Sequence, residues 1–424
     1  MARKLPSSRA CSCHLKWRHL FQSWLLNMIL TLSIPYWSTS FRYSPFYTFP
    51  YEHMMETVLK RRARCAGAFF EALSTSDIAS LSCGNDHDSV AKSEVDVVLV
   101  TMTINRPDAF SYVLPGFYSL TRHMLEEPRE LTARACAVVV HGDAEGLSSE
   151  GLSQIPAALV RHADEAQALQ RQAVKVEPGS WKRQECEDYA HALEIGAALG
   201  RHVVILEDDT LSQKRFLSEI FQILPHIQED TILKLFKTDF YDGWTLPAFL
   251  VWSLGVALFS GIMSVCLLSG RLYMPRAAMV VLWCAIAYPL VLGPLLVGRQ
   301  GFFSAMTYGF DEWSAPMTQA VLYSRKQALQ ASAYIREHNV EAIDVVLDEF
   351  VQLQRRKEGE FSAFSWRPSL FQHVGLKTSS AEKKEELASA SNAYDYSSWF
   401  KQDSLFRDDP TEACCPGVSC DPAG

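Results

Sequence analysis

Three short runs hold the residues with chemical potential. The first is Glu207-Asp208-Asp209, which closes the apolar run of His202–Asp209 (HVVILEDD). Clustered carboxylates suit a hard divalent cation such as Mn²⁺ or Mg²⁺. Such a cation bridges phosphate oxygens and offsets the charge that grows on a leaving diphosphate. The second is His373, within Trp366–Gly375 (WRPSLFQHVG), a metal-capable imidazole between a proline-punctuated turn and a glycine. The third is Asp344 and Asp348 in IDVVLD, whose i,i+4 spacing puts both carboxylates on one helix face. Each run has an ordinary structural use as well. Aspartates favour helix N-termini, lone histidines are more often structural than ligands, and helical acids commonly face solvent.

The elements around these runs read as α/β. Val95–Met102 (VDVVLVTM) and Ala135–Val140 (ACAVVV) are continuous apolar runs rich in valine, the pattern of strands buried on both faces. Val203–Leu206 is the strand that carries the acids, and Ile232–Phe236 and Phe361–Trp366 are further strands. Helical spacing is predicted for Glu52–Leu73, Gln184–Leu199, Ala315–Ile335 and Ala342–Leu353, and a loop or linker for Thr75–Ser93. Alternation of strands and helices predicts a mainly parallel sheet. The acids then stand at the carboxyl end of a strand, where open α/β sheets bind ligands.

Two long uncharged stretches interrupt this pattern, Leu246–Ser269 and Ala277–Gly298. Each has the length that a helix needs to cross a hydrocarbon core of about 30 Å. A third apolar stretch covers 20–37, preceded by Arg3, Lys4, Arg9, Lys16 and Arg18. Positive charge before that stretch, and Arg271 and Arg276 in the turn between the other two, predict a cytosolic tail and a cytosolic turn. The expected organisation is a cytosolic tail at 1–19, a transmembrane anchor at 20–37 and a lumenal stem at 38–94. A catalytic domain follows at 95–245 and 299–378, split by a transmembrane hairpin at 246–298, with a polar tail at 379–424. A net charge of −8 with no long basic run beyond the N-terminus argues against a nucleic-acid partner. Of eleven cysteines, Cys65, Cys83, Cys136, Cys186, Cys414, Cys415 and Cys420 would be lumenal and open to disulfide formation. Their spacing matches no zinc site, and pairing cannot be deduced from it.

EDD after an apolar strand, then IDxxLD, then RPSLFQHVG, resembles two related glycosyltransferase groups. One is the N-acetylglucosaminyltransferase IV group, which branches N-glycans. The other is the Golgi post-GPI-attachment N-acetylgalactosamine transferase family, which adds a side-chain sugar to GPI anchors. The hairpin after the acidic motif favours the second. This resemblance implies a GT-A-like domain, UDP-GalNAc as donor, GPI-anchored proteins as acceptors, Mn²⁺ as cofactor and a Golgi membrane location with the catalytic domain in the lumen. It implies Asp209, Glu207 and His373 as metal ligands. Thr103, Asn105 and Arg106 at the exit of the first strand, with Asp188, Glu207 and Asp208, would face the nucleotide.

Transfer from an α-linked sugar nucleotide to give a β-glycoside is an inverting displacement, and it requires a general base apart from the metal. Asp344 is the favoured candidate and Asp348 the runner-up; Asp311 and Glu312 remain open. Competing expectations are an N-acetylglucosaminyltransferase acting on N-glycans or on another membrane glycoconjugate, and a non-catalytic membrane scaffold with a degenerate transferase domain. A transporter is disfavoured, because the three apolar stretches hold no charge to form a path.

Overall fold

Valine-rich runs that can be buried on both faces build the centre of the fold. In a computed structural model, residues 51–84, 95–103, 112–141, 152–162, 180–236, 251–252, 254–256, 258–259, 309–313, 318–357, 361–367 and 369–373 are described. The chain divides into two units. One combines Tyr51–Thr238 with Thr307–Gly424, and the other combines Met1–Pro50 with Asp239–Met306.

The larger unit carries ten described strands: β1 (Val95–Thr103), β2 (Ala135–His141), β3 (Val160–His162), β4 (Gly200–Glu207), β5 (Thr210–Ser212), β6 (Thr231–Lys234), β7 (Gly309–Glu312), β8 (Ala320–Ser324), β9 (Ser362–Arg367) and β10 (Phe371–His373). Eight of them form one sheet in the order β3-β2-β1-β4-β8-β6-β9-β7, and β5 pairs with β10 in a small second sheet. β1 runs parallel to both β2 and β4, with Val100 opposite Val138 on one side and Ile205 on the other. β8 is antiparallel to both of its neighbours, β4 and β6. The sheet is therefore mixed, with a parallel block on the β3-β2-β1-β4 side.

Helices cover both faces. α1 (Tyr51–Ala72), α2 (Thr75–Leu81), α3 (Val113–Glu126), α4 (Ser180–Leu199), α5 (Phe216–Ile223), α6 (Arg325–Glu337) and α7 (Ile343–Lys357) are the principal ones. Val97, Leu99, Val204 and Leu206 pack with Phe70, Phe117, Phe216 and Ile220 of α1, α3 and α5. Val98, Val100, Val203 and Ile205 pack with Tyr189, Leu193, Ala328, Ile335 and Phe350 of α4, α6 and α7. Full burial of each large aliphatic side chain is worth about 1.5–3 kcal/mol. Strands with apolar residues on both faces are therefore stable only between two helical layers. The Cys83–Cys136 disulfide ties the segment after α2 to β2.

Several expectations are corrected. Residues 320–324, read as part of a helix over Ala315–Ile335, form β8, because Val321, Leu322 and Tyr323 are fully buried between β4 and β6. The helix starts only at Arg325, where Ser324 Oγ accepts from Gln327 N at 3.1 Å. Within the expected linker, Thr75–Leu81 is helical. A reciprocal cap starts it, with Ser74 Oγ accepting from Asp77 N and Asp77 accepting from Ser74 N at 3.1 Å.

The transmembrane anchor and hairpin are corrected too. Among the described residues no helix is long and apolar enough to cross a membrane. A span takes about 20 apolar helical residues. The two described helices of that length are charged, α1 with Lys60, Arg62 and Arg64, and α4 with Lys182, Arg183, Glu185 and Glu187. Of 246–298, residues 251–252, 254–256 and 258–259 are helical; the rest of that stretch and all of 20–37 lie outside the described residues.

Candidate active site

The acidic triplet begins at the last residue of β4 and continues as a turn into β5. Each of its carboxylates is held by a different part of the chain. Glu207 Oε1 accepts from Thr318 Oγ1 at 2.6 Å, and its backbone N–H donates to Gln319 O at 3.2 Å. Asp208 is buried, and its Oδ2 accepts from Thr103 Oγ1 of β1 at 3.1 Å. Asp209 is also buried, with Oδ2 3.2 Å from His373 Nε2.

His373 reaches Asp209 through strand pairing. β5 and β10 run antiparallel, and Thr210 sits opposite His373. The peptides before β10 are pinned from two sides. Leu370 N donates to Leu235 O at 2.8 Å, and Gln213 N donates to Leu370 O at 2.9 Å. Leu370 and Phe371 are core residues, and Phe371 packs on Phe216 with ring centroids 5.3 Å apart. In the run PSLFQHVG the apolar pair therefore anchors the loop, and the histidine two residues on projects toward the acids.

Ligand atoms of Glu207, Asp209 and His373 all lie within 4.8 Å of one another. Two carboxylates and an imidazole suit Mn²⁺, which takes oxygen and nitrogen donors alike. Partial burial of Glu207 and His373 and full burial of Asp209 would strengthen the electrostatic hold. The donor set thus fits the expected ion. Asp208 is not part of this group; its place is against Thr103.

The other candidates lie outside this group of three. Asp188 is buried in α4 beside Tyr189, whose hydroxyl lies 2.9 Å from that of Tyr323. Burial first, then Tyr323 and Glu207, push the Tyr189 hydroxyl well above the ordinary tyrosine range, so it stays protonated. Asn105, Arg106 and Gly375 lie outside the described residues. Asp348 Oδ1 accepts from the Trp313 indole N–H at 3.0 Å, and the Trp313 ring lies 3.9 Å from Lys234 Nζ. Asp344 is half-buried at the start of α7, with Oδ1 accepting from Val345 N at 2.9 Å. It stands close enough to α4 to contribute, after burial and the acids Glu185 and Glu187, to pushing the Cys186 thiol up to about 12. Asp311 is half-buried in β7 and pairs with Ser365.

Thr318 and Thr210 were not among the expected site residues. Thr318 holds Glu207, and Thr210 Oγ1 donates to Gln319 O at 3.2 Å, so the residues before β8 clamp the acidic turn. A lone threonine before an apolar run gives no signal of this in the sequence.

The comparison with protein families decides the family of the chain. A family model described as GPI-N-acetylgalactosamine transferase PGAP4 matches residues 95–372. The chain belongs to this family. It is a glycosyltransferase of the GPI-related N-acetylgalactosamine type, and a GPI-anchored acceptor follows from that membership. The matched segment runs from the start of β1 to the residue before His373, and it includes the whole acidic turn. No individual curated protein gives a significant match.

Proposed function

We propose that the chain transfers N-acetylgalactosamine from UDP-GalNAc to a mannose hydroxyl of the GPI glycan, with inversion and with Mn²⁺ as cofactor. The observation that carries this reading is the convergence of Glu207, Asp209 and His373 within 4.8 Å, in a chain of the GPI-related transferase family. A GT-A-like arrangement is supported by the parallel block β3-β2-β1-β4, with the acids at the carboxyl end of β4. Work in the Golgi lumen is supported by the Cys83–Cys136 disulfide, since such bonds persist in oxidising compartments.

In the proposed reaction the acceptor hydroxyl oxygen attacks the anomeric carbon of the donor. The bond from that carbon to the diphosphate breaks, and UDP leaves with the electron pair. Glu207, Asp209 and His373 would hold Mn²⁺, which supplies the positive charge that a departing diphosphate requires. Thr318 and Thr103 keep two of the acids oriented before substrate arrives. Asp344 is proposed as the base that takes the hydroxyl proton. Asp348, its helical neighbour, is committed to the Trp313 indole.

The test uses the purified full-length chain with UDP-GalNAc, Mn²⁺ and a GPI-anchored acceptor. The expected result is a mass gain of one N-acetylhexosamine on the GPI glycan, lost in EDTA and restored by Mn²⁺. Full transfer in EDTA, or transfer from UDP-GlcNAc in preference to UDP-GalNAc, would overturn the reading.

A further inference from the structure

Helix α3 precedes the acidic turn by some eighty residues and contributes no carboxylate, yet it touches that turn on both sides of Asp209. A Cβ added at Gly116 would meet Asp208 O at 2.5 Å and Thr210 O at 3.0 Å. Both are backbone atoms, so no side-chain rotation relieves the clash. Three residues on, Ser119 Oγ donates to Ser212 O at 3.3 Å and lies 3.1 Å from Ser212 Oγ. Four residues further, His123 Nδ1 lies 2.9 Å from Ser212 Oγ. The i, i+3, i+7 spacing places Gly116, Ser119 and His123 on one helix face. Ser119, His123 and Ser212 are all buried, so these bonds form away from competing water.

We propose that Gly116, Ser119 and His123 of α3 form a seat for the Asp208–Ser212 segment and that this seat sets the separation of Asp209 and His373 for a divalent cation. They are positioning residues. Gly116 lets the two carbonyls that flank Asp209 rest directly on the helix. Ser119 and His123 fix the far end of β5, and the pairing of Thr210 with His373 carries the same placement to the imidazole. Metal sites tolerate ligand displacements of only a few tenths of an ångström, and a helix is a stiffer support than a loop. An added methyl at Gly116 must push either the helix or the acidic turn, and the turn carries a ligand. The inference rests on the metal reading proposed above.

The experiment measures Mn²⁺ binding to the full-length chain by electron paramagnetic resonance of free Mn²⁺ in the presence of UDP. Melting temperature is read in parallel. Gly116→Ala is expected to raise the Mn²⁺ Kd about tenfold or more, the range seen when residues supporting metal ligands are altered. Thr121→Ala is the control on the same helix. Its buried hydroxyl donates to Phe117 O at 2.8 Å, within α3 itself. It should lower the melting temperature and leave the Mn²⁺ Kd unchanged. Where Gly116→Ala yields no folded protein, Ser119→Ala carries the test, with a Kd raised about threefold for the loss of a buried hydrogen bond. A folded Gly116→Ala protein with wild-type Kd overturns the seat, as does a Thr121→Ala protein weakened equally. If the wild type binds Mn²⁺, Asp209→Ala abolishes binding and Gly116→Ala leaves it intact, the seat alone fails. If wild type and Asp209→Ala both fail to bind, the metal reading fails and the seat falls with it.

Discussion

The carboxylates at the end of β4 and those on α7 differ in what holds them. Glu207, Asp208 and Asp209 are neighbours in sequence, and each meets a different remote segment: Thr318 before β8, Thr103 of β1 and His373 of β10. Asp344 and Asp348 share a helix face, and their bonds to Val345 and Trp313 are of another kind. Asp344 accepts from its own neighbour Val345, and Asp348 accepts from a buried tryptophan. Convergence of remote polar groups on one point needs many backbone constraints, and folds keep such costly clusters where chemistry requires them. An i,i+4 pair of acids follows from helical periodicity alone. Spacing within a helix says which residues share a face and nothing about what that face meets.

This contrast can be sharpened by mutation, starting with the largest effect. Asp209→Ala is expected to lower transfer about 10³-fold or more, since loss of the metal forfeits several kcal/mol of transition-state stabilisation. Its melting temperature should change little compared with a core truncation. A variant that keeps a tenth of wild-type activity would remove Asp209 from the ligand set. Asp344→Asn should reduce kcat about 10²-fold or more with KM for UDP-GalNAc nearly unchanged, the signature of a lost general base. Activity equal to wild type would pass the role of base to Asp348, Asp311 or Glu312. His373→Ala is expected to cost about tenfold to a hundredfold, recovered in part by higher Mn²⁺. A loss that no Mn²⁺ concentration relieves would make the histidine a packing residue instead.

Asp348→Ala should separate the two helix acids. It leaves the Trp313 indole N–H without its acceptor, at a cost of about 1–3 kcal/mol. A melting temperature lower by a few degrees is therefore expected, with activity per folded molecule within about threefold of wild type. A large fall in kcat without loss of stability would reverse the assignment of Asp344 and Asp348.

The smallest effect concerns pH. Burial, then Arg62, Arg122 and Lys214, hold the His123 imidazole down to about 3. An unfolded histidine protonates near 6.5. Between these values the unfolded chain binds the extra proton, so stability is full above about pH 6.5 and falls as pH drops toward 3. Between pH 7 and pH 5 the expected loss from this group is about 2 kcal/mol. Thermal melts at the two pH values, on wild type and on His123→Gln, measure it. The variant should lose less stability over that interval, and an identical loss would place the pH sensitivity elsewhere, with His202 next in line because burial also lowers it.

The sequence by itself determined the strands that are buried on both faces. Val95–Thr103, Ala135–His141 and Gly200–Glu207 are legible because continuous β-branched runs have few other stable environments. It also placed the acids at a strand end, and the order EDD, IDxxLD, RPSLFQHVG pointed to the family that the whole-domain match establishes. β8 was not legible, because its five residues adjoin a helix and a short apolar run carries no decisive period. β5, β7 and β10 are three or four residues long, below the length at which alternation can be read. The uncharged stretches at 20–37 and 246–298 led to an expectation of membrane spans, and among the described residues no helix is long and apolar enough to cross a membrane.

Only the tertiary structure decided which residues meet. Thr210 opposite His373, Thr103 on Asp208, Thr318 on Glu207 and Gly116 beneath the acidic turn all join positions far apart in the chain. The bonds of such a constellation depend on sheet order and strand register. Both are set by the burial of the whole apolar set at once, so no local stretch of sequence encodes them.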